Sequence, residues 1–166
     1  MNQNSTIEVP LVSGLTADTP LLVGDEYKNI RSIFLSAGTA LPTFGLDPQL
    51  VPVENKIASV PKEVYVSELW DIGFENGCHI TCTPSTLVLM QDGYKPVNLV
   101  KPGEFALGMF FNQQKIQGSL IKCTISDRVV KALKEPVYYF ITETTNVLIP
   151  RFEEEIGRLS FICIQQ

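Results

Sequence analysis

The chain has 166 residues, 45% hydrophobic and 19% charged, a composition that suits one folded domain with a core of its own. A formal net charge of −5 and the lack of any lysine or arginine block argue against nucleic acid or an anionic membrane surface as partner. No apolar run approaches the ~20 residues of a membrane span. The polar opening of Met1–Val12 has neither the basic nor the apolar region of a secretory signal. Four cysteines are too few for a disulfide framework, so free thiols and a cytoplasmic site of synthesis are expected.

In chain order, β-branched and aromatic runs predict strands at Ile7–Val12, Leu21–Val23, Ile30–Leu35, Glu63–Ile72, His79–Cys82 and Leu87–Met90. Further strands are predicted at Phe105–Phe111, Gly118–Ile125, Val137–Thr142, Asn146–Ile149 and Leu159–Ile164. Tight turns are expected at Val23–Tyr27, at Glu75–Cys78, where Asn76-Gly77 suits a type I′ turn, and at Gln91–Tyr94. Ala37–Lys56, with Pro42, Gly45, Pro48 and Pro52, reads as a long loop excursion. Asp127–Lys134 is predicted as a short helix with Val129, Val130 and Leu133 on one face, and Arg151–Ile156 is a weaker helical segment. Many short strands separated by turns make an all-β sandwich or barrel-like fold, with residues 1–12 as an N-terminal arm and 13–166 as a single domain.

Three blocks carry a resemblance. The first is Gly14-Leu15-Thr16-Ala17-Asp18-Thr19-Pro20-Leu21-Leu22-Val23. The second runs from Ile80-Thr81-Cys82-Thr83-Pro84-Ser85-Thr86 through Asp92-Gly93-Tyr94 to Pro102-Gly103-Glu104. The third is Glu135-Pro136-Val137-Tyr138-Tyr139-Phe140 with Thr145-Asn146-Val147-Leu148-Ile149. In this order they resemble the opening motif, the Thr-x-x-His strand with its Asp-Gly hairpin, and the Val-Tyr-Asp-Phe strand of the hedgehog/intein (Hint) family. The resemblance implies an all-β Hint fold in which Leu15–Val23 and Thr83–Leu89 lie side by side. It also implies a chemistry: a Cys or Ser attacks the preceding carbonyl, and the Thr and His of the second block act on the scissile peptide.

Position by position, the resemblance places Gly14 at the nucleophile and Thr86 at the histidine, while Asp18, Thr19 and Thr83 keep family-like identities. Gly14 has no side chain, and the Thr86 hydroxyl does not titrate near neutral pH. The C-terminus, Ser160–Gln166, carries no His-Asn pair. The expectation is therefore a domain that is not an enzyme and has no cofactor or metal. It would serve as a structural or interaction module, oligomeric or joined to other protein subunits. An accessory subunit of a bacteriophage particle, incorporated into the virion, is the setting this kind of domain suggests. Its candidate contact residues are Ile7, Val9 and Leu11 on the arm, Phe44 and Leu46 on the excursion, and Phe161 on a terminal strand read as an addition to the family pattern.

Two alternatives stand beside it: a self-processing protein using Ser13 or Cys78, and an unrelated β-sandwich with a ligand pocket under Ala37–Lys56. His79, the one histidine, is read as an ordinary strand residue, since strand alternation separates it from Cys78 and Cys82. A zinc site built from Cys78 and Cys82 with Cys123 or Cys163 would lack a standard zinc spacing. The Glu153-Glu154-Glu155 run reads as a solvated face.

Overall fold

The computed structural model describes residues 11–24, 26–36, 41–59, 61–112, 115–153 and 158–166. It contains β1 (Leu15–Thr16), β2 (Pro20–Val23), β3 (Glu26–Asn29), α1 (Ile30–Leu35), β4 (Pro42–Leu46), β5 (Pro52–Lys56), β6 (Lys62–Phe74) and β7 (His79–Cys82). These are followed by β8 (Leu87–Met90), β9 (Gly93–Pro96), a 3-10 turn (Val97–Leu99), β10 (Phe105–Asn112), β11 (Lys115–Tyr139), β12 (Asn146–Glu153) and β13 (Arg158–Gln165). The chain is all-β, as its pattern of short strands predicts.

One sheet runs in the order β1-β7-β6-β11-β10-β13-β8-β9, with β12 paired to β13. The 25-residue β11 organises it. Its first part, from Lys115 to Lys122, pairs with β10, whereas from Cys123 onward it pairs with β6 and at Val137–Tyr138 with β1. The β1–β11 and β10–β8 pairings close each part upon itself, so the two lobes share one strand. A register shift between Cys123 and Ile125 lets β11 turn from one lobe into the other. A second shift leaves Lys131–Lys134 opposite Ser67 alone, because Val130 pairs with Glu68 and Glu135 with Val66.

β13 shows why its sequence is continuously apolar. Ile162 and Ile164 point into the main cluster with Leu15, Val88 and Val147, while Phe161 and Cys163 point into a second cluster with Leu46, Met109 and Leu148. A strand buried on both faces has no polar alternation to show. Phe161, a candidate contact for a partner, is 2% exposed and fills the domain's own core, as does Leu46 at 1%. Neither is available to another subunit, and the strand read as an addition is central to the sheet.

Three other segments differ from expectation. Ile30–Leu35 is a helix: Asn29 Oδ1 caps it by accepting from Ser32 N at 2.8 Å, and Ile30 and Ile33, three apart, are the buried pair. Asp127–Lys134 is not a helix but lies within β11, where Val129 packs on the small cluster of Leu69, Val137 and Tyr139, and Val130, its neighbour, faces solvent. Pairing with β6 overrides the local helical pattern. From Pro42 onward the proline-rich excursion is a β-hairpin, β4–β5, with Phe44 half-buried at its side. Arg151–Glu153 belongs to β12, while the rest of the weaker helical segment lies outside the described residues.

The hairpin turns sit where Gly24, Gly77 and Gly93 predict them, each at positive φ. The β6–β7 turn is not type I′, however, because Asn76 keeps a negative φ. Gly77 N donates to Phe74 O at 3.0 Å and Asn76 Oδ1 accepts from Cys78 N at 3.0 Å, so glycine alone supplies the left-handed residue.

Candidate functional site

The residue just before β1 meets the loop between β7 and β8 at the junction of strands β1, β7 and β11. Leu15 pairs with both Cys82 and Tyr138. The segment Val12–Gly14 is consequently laid along Thr83–Leu87, and every bond between the two can be traced. Ser85 Oγ donates to Val12 O at 3.0 Å and Leu87 N to Ser13 Oγ at 3.0 Å. Gly14 N donates to Thr83 Oγ1 at 3.1 Å, Thr83 N to Gly14 O at 2.9 Å and Thr86 Oγ1 to Gly14 O at 3.4 Å. Thr83 Oγ1 and Thr86 Oγ1 lie 2.9 Å apart, and Thr86 is wholly buried. The two threonines bracket a tight turn, closed by Thr86 N donating to Thr83 O, which is why side chains three apart converge.

Two further residues complete the centre. Ser13, itself buried, donates its hydroxyl to Gln165 O on β13. Tyr139, at the end of β11, stands where the third block of the family has its aspartate, and its phenol is pushed up by burial while a bond with Thr83 pulls the other way. A Cβ built on Gly14 would lie 2.7 Å from Tyr139 Cζ, 2.8 Å from Tyr139 Oη and 2.8 Å from Thr83 Cγ2. A Cβ there would require Tyr139 or Thr83 to shift, so the space beside Gly14 is occupied. Asp18 and Thr19 lie apart from this cluster, in the β1–β2 turn, where Thr16 Oγ1 donates to Asp18 Oδ1 at 3.0 Å and Thr19 N to Thr16 O at 3.1 Å.

No protein-family model and no curated protein matches the sequence. Solved structures do match the fold. A DnaB intein from Synechocystis sp. PCC 6803 superposes with a TM-score of 0.69 at 11% identity, over 93% of this chain and 99% of that one. A bacterial intein-like domain from Clostridium thermocellum gives 0.69 at 12% identity, over 92% and 98%. The DnaX mini intein from Spirulina platensis gives 0.66 at 13%, over 92% and 99%.

The chain has the intein, or Hint, fold.

The structure brings Gly14, Thr83 and Thr86 together on one peptide. Tyr139 and Ser85 were not foreseen. For Tyr139 the available signal was its departure from the motif's aspartate. Ser85 sits inside the second block but makes its contact to Val12 through the fold. Cys78 lies away from the centre in the β6–β7 turn, with Sγ 3.9 Å from Ile149 O. Cys82 donates to Trp70 O, and burial pushes its thiol up to about 12. The Cys163 thiol is likewise pushed up to about 12 by burial, and that of Cys123 is raised for the same reason. His79 sits at the opposite end of β7 from Cys82, exposed and 3.9 Å from Asp71 Oδ1. Among the described residues, no three His, Cys, Asp or Glu side chains gather as a metal would require.

Proposed function

We propose that this is a non-catalytic Hint domain serving as a structural or interaction module in a larger protein assembly. The observation that carries the reading is the filled position beside Gly14. A self-processing centre needs a nucleophile there and an acid able to protonate the leaving amide nitrogen. This centre offers a backbone hydrogen, a tyrosine ring in the way, and a threonine hydroxyl at the acid's place. The assembly in view is a bacteriophage particle, by analogy of fold alone. Leu11, 55% exposed just before the anchored segment, leads into the arm as the surface for subunit contact. Ile7 and Val9 lie outside the described residues.

The test is mass and assembly together. Prolonged incubation with hydroxylamine or dithiothreitol should leave one species at 18.4 kDa. Deleting Met1–Glu8 should abolish assembly while shifting stability by less than about 1 kcal/mol. Assembly that survives the deletion overturns the arm's role, and cleavage at Ser13–Gly14 overturns the non-catalytic reading.

A second reading has one observation in its favour. Ser85 Oγ on the Val12 carbonyl, beside the Ser13 hydroxyl, has the form of an oxyanion donor next to a nucleophile, and the structural neighbours are inteins. Hydroxylamine cleavage at Val12–Ser13 that disappears in Ser13→Ala would establish it.

A further inference from the structure

The bonds around Gly14 share a direction. Val12 O, Ser13 Oγ, Gly14 N and Gly14 O are all engaged by one short loop, Thr83–Leu87. Behind the loop, Tyr139 closes the arrangement. Its Cζ and Oη lie where a Gly14 side chain would be, 2.7 and 2.8 Å from an ideal Cβ, next to Thr83, the residue that holds both Gly14 N and Gly14 O. Tyr139 is 6% exposed and packs with Leu69 and Val137 in a cluster of its own, so its position is set independently of the loop. A glycine with no functional partner would leave a cavity, and cavities in packed interiors are costly.

We infer that the Hint centre has become an anchor: Gly14 and Tyr139 are a size-matched pair that locks Val12–Gly14 onto Thr83–Leu87, so that the chain has a fixed point at Val12. This inference rests on the non-catalytic reading and says what the centre does instead. A fixed point at Val12 suits a protein contact made through the neighbouring Leu11, 55% exposed, because fixing one end lowers the entropy lost on docking. Tyr139 is thus a positioning residue, acting on Val12–Gly14 from beside Gly14 and Thr83.

Amide hydrogen exchange on the full chain, with Gly14→Ala, Tyr139→Ala and their combination, tests it. In Tyr139→Ala the Gly14 and Leu87 amides should exchange on the order of tenfold faster, while Leu148 in β12 keeps its protection. Gly14→Ala alone should lower the melting temperature by roughly 2–10 °C, and in the Tyr139→Ala background that loss should shrink to the part due to Thr83 Cγ2, which a Cβ at Gly14 meets at 2.8 Å. Equal loss in both backgrounds, or unchanged exchange at Gly14 and Leu87, overturns the anchor. Should Tyr139→Ala fail to fold, Tyr139→Phe keeps the ring and removes Oη, one of the atoms that a Gly14 Cβ would meet at 2.8 Å. The melting-temperature loss from Gly14→Ala should then be smaller than in the wild-type background, and an equal loss is again fatal. Intact mass read on the same samples separates this inference from the reading beneath it: fragments would overturn the non-catalytic assignment, whereas the exchange pattern alone decides the anchor.

Discussion

Asn146 acts as a strand partner for Leu46, one hundred positions away: its Oδ1 accepts from Leu46 N at 2.7 Å and its Nδ2 donates to Leu46 O at 3.0 Å. The side-chain amide copies the donor and acceptor that a neighbouring backbone would offer. Around it, Asn55 Nδ2 and Thr142 Oγ1 both donate to Asn146 O, at 2.8 and 2.7 Å, and Gly45 leaves room for the cluster, since a Cβ there would lie 2.3 Å from Thr144 Oγ1. This network bolts the β4–β5 hairpin to the turn before β12. Asn146→Ala orphans two buried backbone groups and should cost about 2–4 kcal/mol in denaturant unfolding. Asn146→Asp keeps the acceptor, loses the donor and buries a charge, so it should be no milder. Wild-type stability in either variant would refute the bolt.

Phe161 separates core from contact surface. At 2% exposed it should lose about 3–5 kcal/mol as Phe161→Ala. A residue reserved for a partner would leave the isolated domain nearly unchanged, so urea unfolding of the purified variant decides the matter.

All four cysteines are buried, and burial pushes the Cys82 and Cys163 thiols up to about 12. A thiol reagent at neutral pH should therefore find no fast-reacting group in the native protein and four after unfolding. Rapid labelling of even one native thiol would contradict this packing.

Glu104 accepts from Lys95 Nζ at 2.8 Å and from Lys101 N at 2.9 Å, and these bonds, Lys95 first, hold its carboxyl below the ordinary 4.5. A carboxyl depressed in the folded state contributes stability that is complete above 4.5 and disappears as the pH falls through the depressed value. The stability difference between wild type and Glu104→Gln should accordingly be constant from neutral pH down to that range and shrink below it. A difference that grows on acidification would reverse the assigned sign. The partners are part-exposed, so the effect is small and salt-sensitive.

Strands such as β7, β8 and β13 were legible because their β-branched and apolar runs reflect burial directly, and the hairpin glycines because only a positive φ explains them. α1 was missed because Ile30 and Ile33 fit strand and helix patterns alike over so short a stretch, and the cap at Asn29 decides it. Asp127–Lys134 misled for the opposite reason: the local pattern is helical, and only the ladder to β6 makes it a strand. Around Gly14, the convergence of Thr83 and Thr86 is legible from their spacing, since the turn that brings the threonines together is local. The contact between Tyr139 and Gly14 depends on β11 returning beside β1, and no local pattern records a return of that length.

The register shift at Lys131–Lys134 has a practical meaning. Ser67 alone faces these residues, and Leu133 is 82% exposed, so the β6–β11 ladder already tolerates surplus chain at this point without disturbing either lobe. Extra sequence spliced between Ala132 and Leu133 would lengthen a protrusion that the ladder already steps around, with a loop-closure cost that grows only slowly with length. The domain thus carries a ready-made port for a tag, a reporter or a binding peptide, on a two-stranded arm outside the sealed centre.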